Sequence, residues 1–169
     1  MKKAIFLLSL IFVIGGVCFA VDPAEGFWLS IDEKTGKVTA GWEIYQDGGK
    51  LYGKILSTAD HPPGVLADKC KESYQGFPAA GKVNQMPVAG TSWIFGLSAE
   101  KQAGRWNGGN VIDPNDGKMY KCRITFHAAG TGKFTTDTLE MRGEIGLGIG
   151  RSQYWQKTDR QTASSLGPR

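Results

Sequence analysis

The 169-residue chain has little of the side-chain chemistry that most enzymes are built from. It holds two histidines and three cysteines. No Gly-x-Ser-x-Gly, no His-Glu-x-x-His and no nucleophile beside a base occurs. His61 sits beside Pro62 and Pro63, and His127 ends a strand on its polar face, so both read as surface residues. Charge of one sign is also scarce. Lys and Arg number 20 against 16 Asp and Glu, scattered along the chain with no basic stripe and no interleaved aromatics. That distribution excludes nucleic acid as an expected partner. Past residue 25 there is no 3.6-residue apolar stripe, which excludes a helical bundle.

Long hydrophobic runs are missing with one exception. Lys2 and Lys3 precede an apolar stretch from Ala4 to Val17, and Cys18-Phe19-Ala20 places small residues before Val21. This order is that of a secretory leader cut after Ala20. The stretch is shorter than the roughly 20 residues a spanning helix needs and carries Gly15-Gly16, so no membrane span is expected in the mature protein. A lipoprotein reading of Cys18 is discounted because Val17 stands where a small residue is needed. Loss of residues 1–20 removes two lysines and no acid, lowering the net charge from +4 to +2. Periplasmic or secreted localisation is the expectation. The mature chain is long enough for one domain with its own core.

Cys70 and Cys122 remain after cleavage. In an oxidising compartment a pair reads first as one disulfide, which would stabilise the fold by roughly 4 kcal/mol through loop closure. A nucleophilic cysteine would need an activating base, and the Cys and His spacings match no compact zinc finger. Neither a metal nor a cofactor is expected.

The rest of the chain is written in strands and turns. Alternating segments run over Gly26–Asp32, Lys37–Gln46, Lys50–Thr58, Thr91–Ser98, Arg105–Ile112, Lys118–His127, Thr135–Glu144 and Ile149–Lys157. Asp47-Gly48-Gly49 makes a hairpin, where a tight turn needs the positive φ that glycine tolerates. Tyr120, Cys122, Ile124 and Phe126 share one face of their strand, opposite Lys121, Arg123, Thr125 and His127. Such one-side-wet strands suit an antiparallel sheet. Eight of them, mostly hairpin-linked, predict an all-β fold, an eight-stranded antiparallel up-and-down barrel in preference to a sandwich. The domain is expected to span residues 21–157, with a fraying polar tail over 158–169. Between the third and fourth strands runs a long excursion, Ala59 to Ala89, with Pro62, Pro63, Pro78 and Pro87 and one helical turn expected near Val65–Glu72.

Other candidate chemistry resolves into structure. Asp113-Pro114-Asn115-Asp116-Gly117 carries three oxygen donors, but its Gly comes fifth and Ile124 stands twelfth, unlike a calcium loop. A hairpin turn accounts for it. Gly146-Leu147-Gly148-Ile149-Gly150 opens no helix and has no Lys-Ser/Thr sequel, so it reads as a bulge or kink between strands. Glu43, Glu140 and Glu144 lie on polar faces and read as solvated.

Six further motifs carry a resemblance. They are Gly26-Phe27-Trp28, Gly49 to Ile55, Trp106 to Pro114, Gly117 to Cys122, Arg142 to Gly146 and Gly150 to Trp155. In this order, over Asp22 to about Lys157, the chain resembles an exported bacterial family catalogued as domain of unknown function two-one-four-seven. That family is similar in fold to the calycins, the lipocalin and fatty-acid-binding barrels. The resemblance implies that Gly26 and Trp28 close the base of the barrel, with a late arginine, Arg151 in preference to Arg142, stacked on the indole. It supplies no activity. In the lipocalins the lid joins the first two strands, whereas the excursion here follows the third.

The aromatic residues Trp42, Trp93, Phe95, Tyr120, Phe126 and Tyr154 are the candidate lining of a cavity for a small apolar or lipid-like ligand; otherwise they fill the core. A Cys70–Cys122 bridge would hold the excursion at the barrel mouth as a lid. The leading expectation is a ligand-binding barrel, then a non-catalytic envelope scaffold with a filled interior, and then an enzyme of unknown reaction.

Overall fold

In the computed structural model, which describes residues 21–146 and 148–168, eight strands close into one antiparallel barrel in sequence order. The expected leader, residues 1–20, lies outside the described residues. The strands are β1 Gly26–Ile31, β2 Val38–Asp47, β3 Lys50–Thr58, β4 Ser92–Ala99, β5 Arg105–Asp113, β6 Lys118–His127, β7 Thr138–Gly146 and β8 Ile149–Thr158. Alternation alone therefore located every strand to within three residues at each end. Closure rests on three β1–β8 pairs, Phe27 with Thr158, Trp28 with Lys157 and Leu29 with Gln156.

The base of the barrel is filled. Trp28, Leu51, Leu97, Ile124, Leu139 and Trp155 are fully buried there. The first described residues plug this end. The Trp28 indole donates to the Ala24 carbonyl at 3.0 Å, and Asp22 accepts from the Trp106 indole at 3.1 Å and from Gly104 N at 3.0 Å. The cation over Trp28 is Lys157, whose Nζ lies 4.3 Å from the ring centroid and donates to the Glu25 carbonyl at 2.8 Å. Arg151 does not take that place. It lies at the opposite end of the barrel, with its Nε 3.7 Å from Glu33. The register explains the exchange, because Lys157 is the residue of β8 paired with Trp28.

The excursion departs furthest from expectation. Ile94 registers with Gly53 and Val111 and faces the interior, which turns Trp93 and Phe95 to the outer wall. Gly96, at φ 75°, resets the alternation so that Leu97 faces inward again beside Leu51. The outward aromatics are nevertheless buried, because Phe77 of the excursion packs 5.9 Å from Trp93 and 5.4 Å from Phe95. Trp93 also donates its indole N–H to the Val88 carbonyl at 2.8 Å. The excursion is thus mainly an outer layer on β4, not a lid over the mouth. Its two arms pair with each other through Ala67 N to Met86 O and Val88 N to Val65 O. The helical turn near Val65–Glu72 is not formed; a short 3-10 turn occurs at Val83–Gln85 instead.

Cys70 and Cys122 are both buried free thiols, which corrects the expected disulfide. Cys70 sits against Gly117, at the outer turn of the β5–β6 hairpin, where a Cβ on Gly117 would lie 3.0 Å from its Cα. Cys122 is five residues further along β6, about 16 Å at roughly 3.3 Å per residue. A disulfide needs Cα atoms within about 7 Å.

Within the tail a short helix packs on the barrel. Asp159 caps a short helix, α1 Arg160–Ser164, by accepting from Thr162 N at 2.9 Å. Ala163 is fully buried, and its carbonyl accepts from Ser57 Oγ at 2.7 Å. The helix seats on Gly41, where any Cβ would stand 1.9 Å from the Ala163 oxygen.

Candidate functional site

Above its filled base the barrel is hollow. A cavity of about 390 Å³ occupies the upper half, a volume within the range of small-molecule sites. Trp42 separates the two halves: it lines the cavity and stacks at 4.8 Å on Trp155 beneath it. Its indole donates to Ser30 Oγ at 3.2 Å, and Ser30 also bonds Thr39 Oγ1 at 2.7 Å, which fixes the orientation of the ring. The apolar wall comes from Ile55, Val88, Val111, Tyr120 and Met141, contributed by five different segments. Glycine at 143 keeps that wall concave, since a Cβ there would meet only Tyr120 and Val111 at 3.5 Å and beyond.

Polar groups gather at the rim. Asp60 and His61 come from the start of the excursion, Asp113 and Asn115 from the β5–β6 turn, and Arg151 and Gln153 from β8. His61 Nε2 meets Asn115 Oδ1 at 3.3 Å, linking the excursion to the hairpin across the mouth. Asp113-Pro114-Asn115-Asp116-Gly117 forms the expected turn, with Asp113 Oδ1 accepting from Asn115 N at 2.9 Å and Asp113 O from Gly117 N at 2.8 Å.

Of the six aromatics expected to line a cavity, Trp42 and Tyr120 do so. Trp93 and Phe95 belong to the outer wall under the excursion. Phe126 packs edge-on to Trp28 at 6.3 Å in the filled base. Tyr154 is on the outer surface, 5.7 Å from Phe134 and with Lys133 Nζ 4.3 Å from its centroid. Ser30, Thr58, His61, Asn115, Met141 and Gln153 were missed as lining. Their signal was weak, because they become neighbours only when the ring of strands closes. The run Trp93-Ile94-Phe95 did hold a legible sign: consecutive large apolar residues need cover on both faces of a strand.

Among the described residues, the polar cluster outside the cavity is not ordered as a catalytic triad. On the outer face of β6, β7 and β8, Ser152 Oγ donates to Glu140 at 2.5 Å and Glu140 meets His127 Nε2 at 2.9 Å. The carboxylate stands between the hydroxyl and the imidazole, so the histidine cannot take the serine's proton as a triad requires. Burial pushes the Glu140 carboxyl up, but the hydrogen bonds from Ser152 and His127 more than reverse it and hold it below the ordinary value. Glu140 is thus paired and not simply solvated; so are Glu43 with Lys54 at 3.4 Å and Glu144 with Arg142 at 2.8 Å. Burial drives the Cys122 thiol far up and raises that of Cys70, against a smaller opposing hydrogen bond with Tyr74, so neither supplies a ready thiolate. Among the described residues no cluster of three or more His, Cys, Asp or Glu side chains gathers, and no helix is long and apolar enough to cross a membrane.

Residues 26–157 match the family described as "Uncharacterized protein conserved in bacteria (DUF2147)". The chain belongs to this family. No curated protein matches it. Among solved structures it is similar to protein HP1028 from the human pathogen Helicobacter pylori, described as belonging to the lipocalin family. That likeness has a TM-score of 0.62 at 15% identity and covers 82% of this chain and 85% of the other. It shows a lipocalin-like fold for this DUF2147 barrel. The member described here departs from the lipocalin pattern in the placing of its long loop, after β3, and in using Lys157 over Trp28.

Proposed function

We propose that this DUF2147 protein is exported, loses residues 1–20, and binds one small amphipathic molecule in the upper half of its barrel. The observation that carries the reading is the division of the interior at Trp42, filled below and hollow above, with an apolar wall and a polar rim. A cavity of about 390 Å³ has space comparable with about a dozen water molecules at ~30 Å³ each. This suits a ring system or a short acyl chain better than a two-chain lipid. The apolar end would lie on Trp42, Ile55 and Met141, and the polar end would stay at the rim near His61, Asn115 and Arg151. A scaffold with a filled interior is the weaker reading, because nothing about scaffolding calls for a hollow upper half. Export is supported by the sequence of the leader alone.

The test is native mass spectrometry of the exported protein, then titration with anilinonaphthalene sulfonate. Gly143→Leu serves as the occluded variant, since its backbone admits a Cβ and the side chain projects into the hollow. A co-purifying small mass, or probe binding weakened about tenfold (~1.4 kcal/mol) by Gly143→Leu, supports the reading. Absence of both a bound mass and any probe binding refutes it.

A further inference from the structure

The barrel wall is incomplete on one side. The β6–β7 ladder ends at the pair Lys121–Glu144, although β6 begins at Lys118 and β7 runs on to Gly146. Among the described residues, Met119 and Tyr120 have no partner on β7. Both strands keep their other neighbours there: Tyr120 pairs with Val111, Met119 with Ile112, and Gly146 with Ile149. The two hairpins are therefore not paired above Lys121, which leaves a gap in the strand ladder beside the cavity.

One residue borders both sides of this stretch of wall. Tyr120 lines the inner cavity, and it also lines a second hollow of about 350 Å³ on the outer surface. That outer hollow is bounded by Lys71 and Tyr74 of the excursion, by Gly117, Lys118 and Met119 of the β5–β6 hairpin, and by Ile145 of β7. Its lip is apolar and wet, with Met119 41% and Ile145 73% exposed. The far side of the hollow is held firmly, since the Tyr74 hydroxyl donates to the Gly117 carbonyl at 2.6 Å and accepts from Lys71 N at 2.9 Å. The tip of the β7–β8 hairpin is held as well, since Arg142 Nη2 donates to the Gly148 carbonyl at 2.9 Å and Gly146 pairs with Ile149. Both edges are thus tied, and Tyr120 stands between the two hollows.

We propose that this gap is a lateral portal: amphipathic ligands collect in the outer hollow, apolar end on Met119 and Ile145, and enter the barrel as the Tyr120 ring swings aside. The inference rests on the binding reading above and adds the route and its gate. Lys71 and Lys118 at the hollow favour ligands whose polar end is anionic, with the Lys118 ammonium partly satisfied by Asp116 at 2.9 Å. The axial mouth is the less suitable entrance for an apolar group, since Asp60, His61, Asp113, Asn115 and Arg151 surround it.

A gate and a wall contact differ kinetically. Removing a gate raises the association and dissociation rates together, while removing a wall contact raises dissociation alone. Stopped-flow mixing with anilinonaphthalene sulfonate, an anionic amphipathic probe, reads both. Because Tyr120 is also part of the cavity wall, Tyr120→Ala is expected to raise the association rate about tenfold and the dissociation rate by more, and His61→Ala at the axial mouth to accelerate entry less. Ile145→Glu, at a site too exposed to disturb folding, is expected to slow association severalfold, and it keeps the test valid if Tyr120→Ala fails to fold. Probe binding with an unchanged association rate in Ile145→Glu, a rise confined to dissociation in Tyr120→Ala, or faster entry in His61→Ala than in Tyr120→Ala overturns the portal and leaves the binding reading intact. Wild-type protein that binds no probe and carries no co-purifying mass overturns both.

Discussion

Trp28→Ala is expected to cost about 4–5 kcal/mol, and the figure can be assembled from what the indole touches. The residue is fully buried, and Trp→Ala changes in cores cost about 3–5 kcal/mol. The upper part of that range applies here for two reasons. The Ala24 carbonyl loses the indole N–H at 3.0 Å, a bond worth about 1 kcal/mol. Lys157, 4.3 Å from the ring, loses its aromatic partner while burial already works against its charged form and lowers its pKa. Cation–π contacts contribute about 0.5–2 kcal/mol depending on desolvation. A barrel of this size shifts by roughly 2–4 °C per kcal/mol, so the melting temperature should fall by about 10–20 °C. Trp28→Phe keeps a ring beneath the ammonium and loses only the N–H bond and some volume, so about 1–2 kcal/mol is expected. Urea unfolding monitored by circular dichroism measures both. A double-mutant cycle with Lys157→Met should return a coupling of about 0.5–2 kcal/mol, and one with Arg151→Met about zero. Trp28→Phe as damaging as Trp28→Ala, or coupling to Arg151 in place of Lys157, would refute the account of the closed base.

Buried groups carry two more expectations. Native protein should react slowly with a thiol reagent, and denaturation without reductant should expose both Cys70 and Cys122 as titratable thiols; an unreactive denatured chain would restore the disulfide. Glu140→Gln should destabilise the protein by about 1.5–3 kcal/mol at neutral pH through weaker bonds to Ser152 and His127. Because the folded carboxyl titrates below its ordinary value, the stability it contributes is present above that value and is lost as pH falls through the folded one. The gap between wild type and Glu140→Gln should therefore close in acid. A gap that is constant from neutral pH to well below about pH 4 would contradict the assignment.

Strand number, order and closure were legible because they depend on local signals. A period of two, glycine at turns such as Gly48-Gly49, and the opposed faces of Lys118–His127 fix which residues share a side. The expected site was only partly legible, because a face is not yet a location. Trp42 and Phe126 both point inward, but height along the barrel puts one on the cavity floor and the other in the filled base. The inward assignment of Trp93 and Phe95 failed at a single glycine, since the bulge at Gly96 shifts the alternation and the excursion then covers the outward rings.

The amino-acid order by itself determined an antiparallel sheet and a tryptophan at the head of β1, since each is written within a few consecutive residues. Only the closed tertiary structure decided that Lys157 and not Arg151 covers that tryptophan, that the cysteines stay apart, that the tail docks on Gly41, and where the hollow lies. Each of those depends on which residues of distant strands fall at the same height, and that is set by register and bulges around the whole ring and by no single segment.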